Sequence, residues 1–251
     1  GGRVIAIYAI GFFSGYAIGP VFLQALGIVG PGPFIAGAAL TILSGLPILF
    51  GRKLAPAFQH DTRHDILSAL RSAPIAMISA FIGGFSEVTI LSLIPTVALA
   101  AGWSQDPALA LLTITTVGGV VLQLPLGWLS DKVSRFSLTI VSIGIFILLA
   151  LALPFALRDT TAAVVTAFMI GGVILGFYAF GLAIIGEGKQ GDLASLNAAY
   201  IMMYQCGALV GPICAGAAMT NHPIWGFVAL VIVIMLIAAI ALFVFKFRER
   251  S

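Results

Sequence analysis

Charge is what this chain lacks. Only 8% of its 251 residues are Asp, Glu, Lys or Arg, while 61% are hydrophobic. A soluble domain carries about 25% charged residues, so the shortage excludes a water-soluble globule. The formal charge of +3 comes from bases that cluster beside apolar runs, which excludes a nucleic-acid surface. Histidine is scarce too: His60 and His64 are four apart but flank a charged loop, and His222 stands alone. That spacing holds no metal. The two cysteines, Cys206 and Cys214, share one apolar run and read as small packing residues rather than a disulfide. No nucleophile elbow, phosphate loop or ligand cluster is present. The chain therefore reads as non-enzymatic, with no cofactor. Neither a recurrent filter nor a ring of like charges marks a channel.

What is abundant is long apolar sequence. Runs such as 228–244 are continuously apolar, which is the signature of a membrane helix and not of an alternating barrel strand. Mean hydropathy is +1.15. The chain divides into eight predicted spans at 4–26, 34–50, 74–100, 108–126, 137–157, 162–185, 196–219 and 225–245, separated by turn signals such as Gly30-Pro31-Gly32-Pro33 and Asn221-His222-Pro223. The expected fold is an all-α polytopic membrane bundle whose first partner is the lipid bilayer. Eleven of the twelve Lys and Arg residues fall on one side of that topology and only Arg158 on the other. The positive-inside rule then places both termini in the cytoplasm, in a bacterial inner (plasma) membrane. The longest connection, 51–73, holds a short amphipathic segment around Ile66, Leu67 and Leu70 and divides two bundles.

An internal repeat supports the division. Ala6, Tyr8, Gly15, Gly19 and Pro20 recur as Ala198, Tyr200, Gly207, Gly211 and Pro212, at a constant offset of 192 residues. Such repeats are how many secondary transporters are built. Four spans precede the second copy after the long connection, and none precedes the first. The repeat therefore predicts that these are the last eight of twelve helices. Residues 1–50 would close an N-terminal bundle, 51–73 would link, and 74–251 would form a six-helix C-terminal bundle. The start at Gly-Gly-Arg, without Met, reads as an interior cut.

The charge that does occur is concentrated. Gly127-x-Leu129-Ser130-Asp131-Lys132-x-Ser134-Arg135 lies between two long apolar runs. Asp131 reads as the start of the following helix, where a carboxylate caps free N–H groups, or as a partner for Arg135 one turn on. A solvated turn that obeys the positive-inside rule is the plainer alternative. The segment resembles the signature loop of the major facilitator superfamily, G-x-L-[AS]-D-[RK]-x-G-R-[RK]. Ser134 replaces the usual Gly, and Phe136 the usual second base. Gly15-x-x-x-Gly19-Pro20 is similar to that family's fifth-helix pattern. The resemblance implies alternating access between two bundles, with Gly127, Asp131, Lys132 and Arg135 as a gate at the cytoplasmic mouth.

Glu87 is the sharper site candidate. It lies inside the apolar stretch Phe81 to Val88, whereas the other acids fall in loops, at span edges or in the tail. A charged side chain at mid-membrane costs about 2.5–3.5 kcal/mol on insertion scales, so Glu87 is expected to face a central cavity and to bind solute or a coupling ion, the proton first. A structural hydrogen bond to a neighbouring helix is the competing account. Asn197, Tyr200, Tyr204 and Gln205 form a predicted polar face, Tyr8 and Phe12 occupy the equivalent places in the first copy, and Tyr178 and Gln123 are further pore candidates. Gly15, Gly19, Gly207 and Gly211, with Pro20 and Pro212, are expected to pack helices closely. Pro20, Pro47, Pro95, Pro125 and Pro212 should kink or end their helices. Together these features predict a secondary active transporter of a small solute. No particular oligomer is required. A transporter-like receptor or scaffold is the alternative.

Overall fold

The computed structural model describes residues 11, 15, 30–50, 66–187 and 193–248. Among them the secondary structure is helical: α1 (Gly32–Ser44), α2 (Leu46–Phe50), α3 (Ile66–Ser72), α4 (Pro74–Ala100), α5 (Gln105–Ser130), α6 (Arg135–Ala156), α7 (Thr160–Glu187), α8 (Leu193–Met219) and α9 (Pro223–Arg248). Two compact units result, residues 14–63 and residues 1–13 with 64–251.

Among the described residues, six helices, α4 to α9, are long and apolar enough to cross a membrane. Their starts follow from local chemistry. Pro74 and Pro223 open α4 and α9, where a missing N–H costs nothing. Asp159 accepts the N–H of Ala162 at 2.8 Å and so caps α7. Gly102, at φ +91°, makes the turn out of α4 that L side chains rarely adopt. The helices run a few residues beyond most of the apolar stretches because their polar ends continue the backbone ladder.

The predicted span 34–50 departs from expectation. It breaks into α1 and α2, because Gly45 closes α1 by donating to Ile42 and Leu43. Pro47 follows within the first turn of α2, where its ring is tolerated. Pro95, Pro125 and Pro212, by contrast, lie inside unbroken helices. The first predicted span lies outside the described residues except for Gly11 and Gly15, both helical and exposed. Pro20, Tyr8 and Phe12 are also outside them. The amphipathic segment appears as α3, which packs on α4 and α8. Its Ala69 is buried, while Leu67 is 65% exposed.

Two helix pairs build the second unit: α4 with α8, and α5 with α7. Each depends on backbone approach at glycine. A Cβ on Gly84 would overlap the carbonyl of Tyr204, one on Gly207 that of Phe81, and one on Gly211 the Thr89 hydroxyl. In the other pair Gly118 lies against the carbonyl of Phe168, and Gly171 against that of Thr115. The apolar core includes Phe85, Ile90, Phe146, Phe177 and Phe227. Buried hydroxyls of Ser79, Ser86 and Thr115 bond back to carbonyls of their own helices. Burial reaches 72% in the apolar window of α7 and 67% in that of α4, but only 17% in α8. The first two therefore form the centre, and α8 shows a long open flank.

Candidate functional site

Glu87 sits mid-way along α4, only 3% exposed. Across the close α4–α8 contact, the Tyr204 hydroxyl donates to its Oε2. Glycine makes this meeting possible. Gly84 takes the backbone of Tyr204 itself, where a Cβ would overlap its carbonyl, whereas a Cβ on Gly83 would meet the Tyr204 ring only in ordinary contact at 3.5 Å. Tyr178 of α7 then stands edge-on to both tyrosines of α8, with centroids 5.3 Å from Tyr204 and 5.7 Å from Tyr200. Tyr200 is fully buried and donates to the Tyr178 carbonyl at 2.8 Å. Three helices thus converge on one carboxylate and three phenol rings. The arrangement sets a buried carboxyl group against one phenol hydroxyl and a cluster of aromatic edges.

Gln205 and Asn197 do not join the cluster. Both are exposed. Neighbouring residues turn by about 100° around a helix, so Gln205 points away when Tyr204 points in. Gln123 of α5 is fully buried, and neither polar atom of its amide has a partner. The only extensive neighbours of α5 among the described helices are α4 and α7, which places Gln123 on the side facing the two central helices.

The charged loop has its own geometry. Gly127 is buried in the last turns of α5. Asp131 is the C-cap of α5 and not the start of α6, which corrects the expected helix-start cap. The N-cap of α6 is Ser134, whose hydroxyl accepts the Ser137 N–H at 3.5 Å. The loop is longer than the spacing implied, because Asp131 to Ser134 form the turn. Arg135 reaches along the bundle and donates to the Ala183 carbonyl at 2.9 Å. That bond meets an α7 carbonyl near the negative end of the helix. Lys132 lies 3.6 Å from the centroid of Trp128.

The sequence matches the profile of the Major Facilitator Superfamily over residues 1–187. The chain belongs to that family. Relatives of this superfamily member include the uncharacterized MFS-type transporter YfkF of Bacillus subtilis, 27% identical over 86% of this chain and 56% of the relative. The uncharacterized MFS-type transporter YcaD of Salmonella dublin is 25% identical over 88% of this chain and 58% of its own length. A Yersinia pestis MFS-type transporter is 24% identical over the same shares. The chain thus spans a little over half the length of these superfamily relatives.

Of the helix-packing candidates, Gly207 and Gly211 take the α4 backbone or side chains directly, and Pro212 follows on the same helix, half-buried. Gly15 is exposed, with no described residue within 4 Å of its Cβ position. Gly19 and Pro20 lie outside the described residues. Gly84, Gly118 and Gly171 are not among the packing glycines expected from the sequence. The Gly-Gly pairs at 83–84, 118–119 and 171–172 were the available signal.

Proposed function

We propose that this chain supplies the six-helix second bundle and the last two helices of the first bundle of a secondary active transporter. Residues 1–50 belong to the first bundle, 51–73 link, and 74–251 form the second. The protein moves a small solute across a bacterial inner membrane by alternating access, driven by an ion gradient, most simply a proton gradient. The termini of this chain lie in the cytoplasm. No catalytic reaction is assigned to it.

The observation that carries this reading is the Tyr204 hydrogen bond to Glu87 inside a glycine-lined helix contact. A carboxyl group buried at mid-membrane is expensive unless it is used. A single phenol holds it in place and can be exchanged for a solute or a proton. The rings of Tyr178 and Tyr200 give the same spot an aromatic wall, suited to an apolar or cationic solute. Gln123 supplies a second polar group that no protein partner has claimed. The loop holding Gly127, Asp131, Lys132 and Arg135 acts as the gate. Its Arg135–Ala183 bond anchors the gate to the second bundle.

The test uses cells that express the complete reading frame, challenged with a panel of lipophilic cations with and without a protonophore. Expression should change survival or uptake for some of them, and the protonophore should cancel the effect. Glu87→Gln should reduce transport at least tenfold and flatten its pH dependence. Tyr204→Phe should keep some transport but shift its pH profile. Unchanged transport and pH profile in Glu87→Gln would rule out the role given to this site. If the intact protein shows no flux but recruits a binding partner, the receptor or scaffold reading takes its place.

A further inference from the structure

The Tyr200 hydroxyl bonds to backbone, not to a side chain. It donates to the Tyr178 carbonyl at 2.8 Å, and the Leu182 N–H donates to it in turn. Tyr178 and Leu182 are four apart on α7, so these two backbone groups are each other's partners in a helix ladder. The phenol of α8 therefore stands beside one rung of α7 and meets both of its ends. Gly181 makes the place for it. A Cβ there would fall 2.6 Å from the hydroxyl oxygen and 2.8 Å from the ring. Tyr200 is fully buried, in one apolar cluster with Ala76, Met77 and Ala80 of α4. Phenylalanine would fill that space as well, so it is the hydroxyl that needs an explanation.

The rung matters for what it carries. Gly181 and Gly186 lie in the last two turns of α7, and glycine favours a helix less than any residue but proline. Tyr178 opens this stretch. Its ring stands edge-on to Tyr204, which is the donor to Glu87. We propose that Tyr200 is a positioning residue: its hydroxyl clamps the Tyr178–Leu182 turn of α7 and so holds the Tyr178 ring behind the Tyr204–Glu87 bond. Backbone groups inside a bilayer have no water to turn to, so a hydroxyl that serves both ends of a rung keeps that turn in one arrangement. The inference concerns how the cluster is held and does not rest on the solute or ion proposed for it.

The test uses the full chain in lipid nanodiscs. Tyr200→Phe keeps the ring and removes only the hydroxyl. Hydrogen exchange of the α7 amides at 182–186 should then quicken by roughly threefold to tenfold, as the loss of about one net hydrogen bond would give, while exchange in α6 stays as it was. With tyrosines isotope-labelled at Cζ, the Tyr204 signal, assigned by its loss in Tyr204→Phe, should move toward its position in Glu87→Gln. Gly181→Ala, which pushes the phenol off the rung, should give the same two signatures, and Tyr200→Phe decides if that variant does not fold. The proposal is overturned if Tyr200→Phe loosens α6 as much as α7, or if the Tyr204 signal stays in place. Faster exchange in α7 with an unmoved Tyr204 signal would leave Tyr200 a role in helix stability alone.

Discussion

At the residue scale, two buried polar side chains, Glu87 of α4 and Gln123 of α5, are in opposite situations. Glu87 has a partner in Tyr204, and Gln123 has none for either amide atom. A buried polar group left unpaired costs about 1–3 kcal/mol, whereas an apolar residue of the same shape avoids that penalty. Gln123→Leu is therefore expected to raise the melting temperature of the chain while lowering transport by the intact protein. Thermal unfolding in detergent checks the first half. A drop in melting temperature would mean that the amide makes a stabilising bond, for instance through water. Glu87→Leu should behave differently, because it leaves the Tyr204 hydroxyl without its acceptor.

These residues also show where the sequence was readable. Glu87 stood out because one carboxylate in a long apolar run has few explanations. Its partner could not be read, since Tyr204 is 117 residues away and the pairing depends on how α4 and α8 register against each other. Gln205 follows Tyr204 in the sequence yet is exposed, because neighbouring residues turn by about 100° around a helix. Asp131 was given to the wrong helix because Asp and Ser are both good caps, and the loop length chose Ser134.

At the element scale, the helices owe their contacts to missing side chains. Gly171 packs against the Thr115 carbonyl with no room for a methyl group, while Gly144, in the same unit, has nothing within 4 Å of its Cβ position. Gly171→Ala should thus cost about 1–3 kcal/mol through overpacking. Gly144→Ala should be neutral, or stabilising by up to about 1 kcal/mol through helix propensity. Parallel melting curves of the two variants test the pair, and equal effects would contradict the packing described. The long spans were legible because run length alone sets them. The break at Gly45 was not, since the apolar run passes through it and Pro47 gave only a general warning. Nor did composition distinguish central α4 and α7 from open-flanked α8, because none of the three gathers its apolar residues on one face.

At the scale of the whole molecule, the ends of the bundle can be assigned without knowing which way it faces. Trp103 donates to the Leu157 carbonyl at 2.8 Å, which places the α4–α5 and α6–α7 loops together. The Phe136–Phe243 contact gathers the α5–α6 turn and the end of α9 at the opposite side. In membrane vesicles, a maleimide that cannot cross the bilayer should label Lys132→Cys and Arg248→Cys from one face and Arg158→Cys from the other. Labelling of all three from one face would refute the arrangement. The positive-inside rule adds that the first face is cytoplasmic.

The three tryptophans follow the same division. Trp103 is clasped by a loop carbonyl and Trp225 stands edge-on to Phe155, 5.9 Å away, while Trp128 lies beneath an ammonium group at the other end. The protein therefore carries its own light sources, two at one mouth and one at the other. Emission from Trp128 answers to the charge above it, and emission from Trp103 to a hydrogen bond. The two sides of the bundle can be watched separately, with no dye attached.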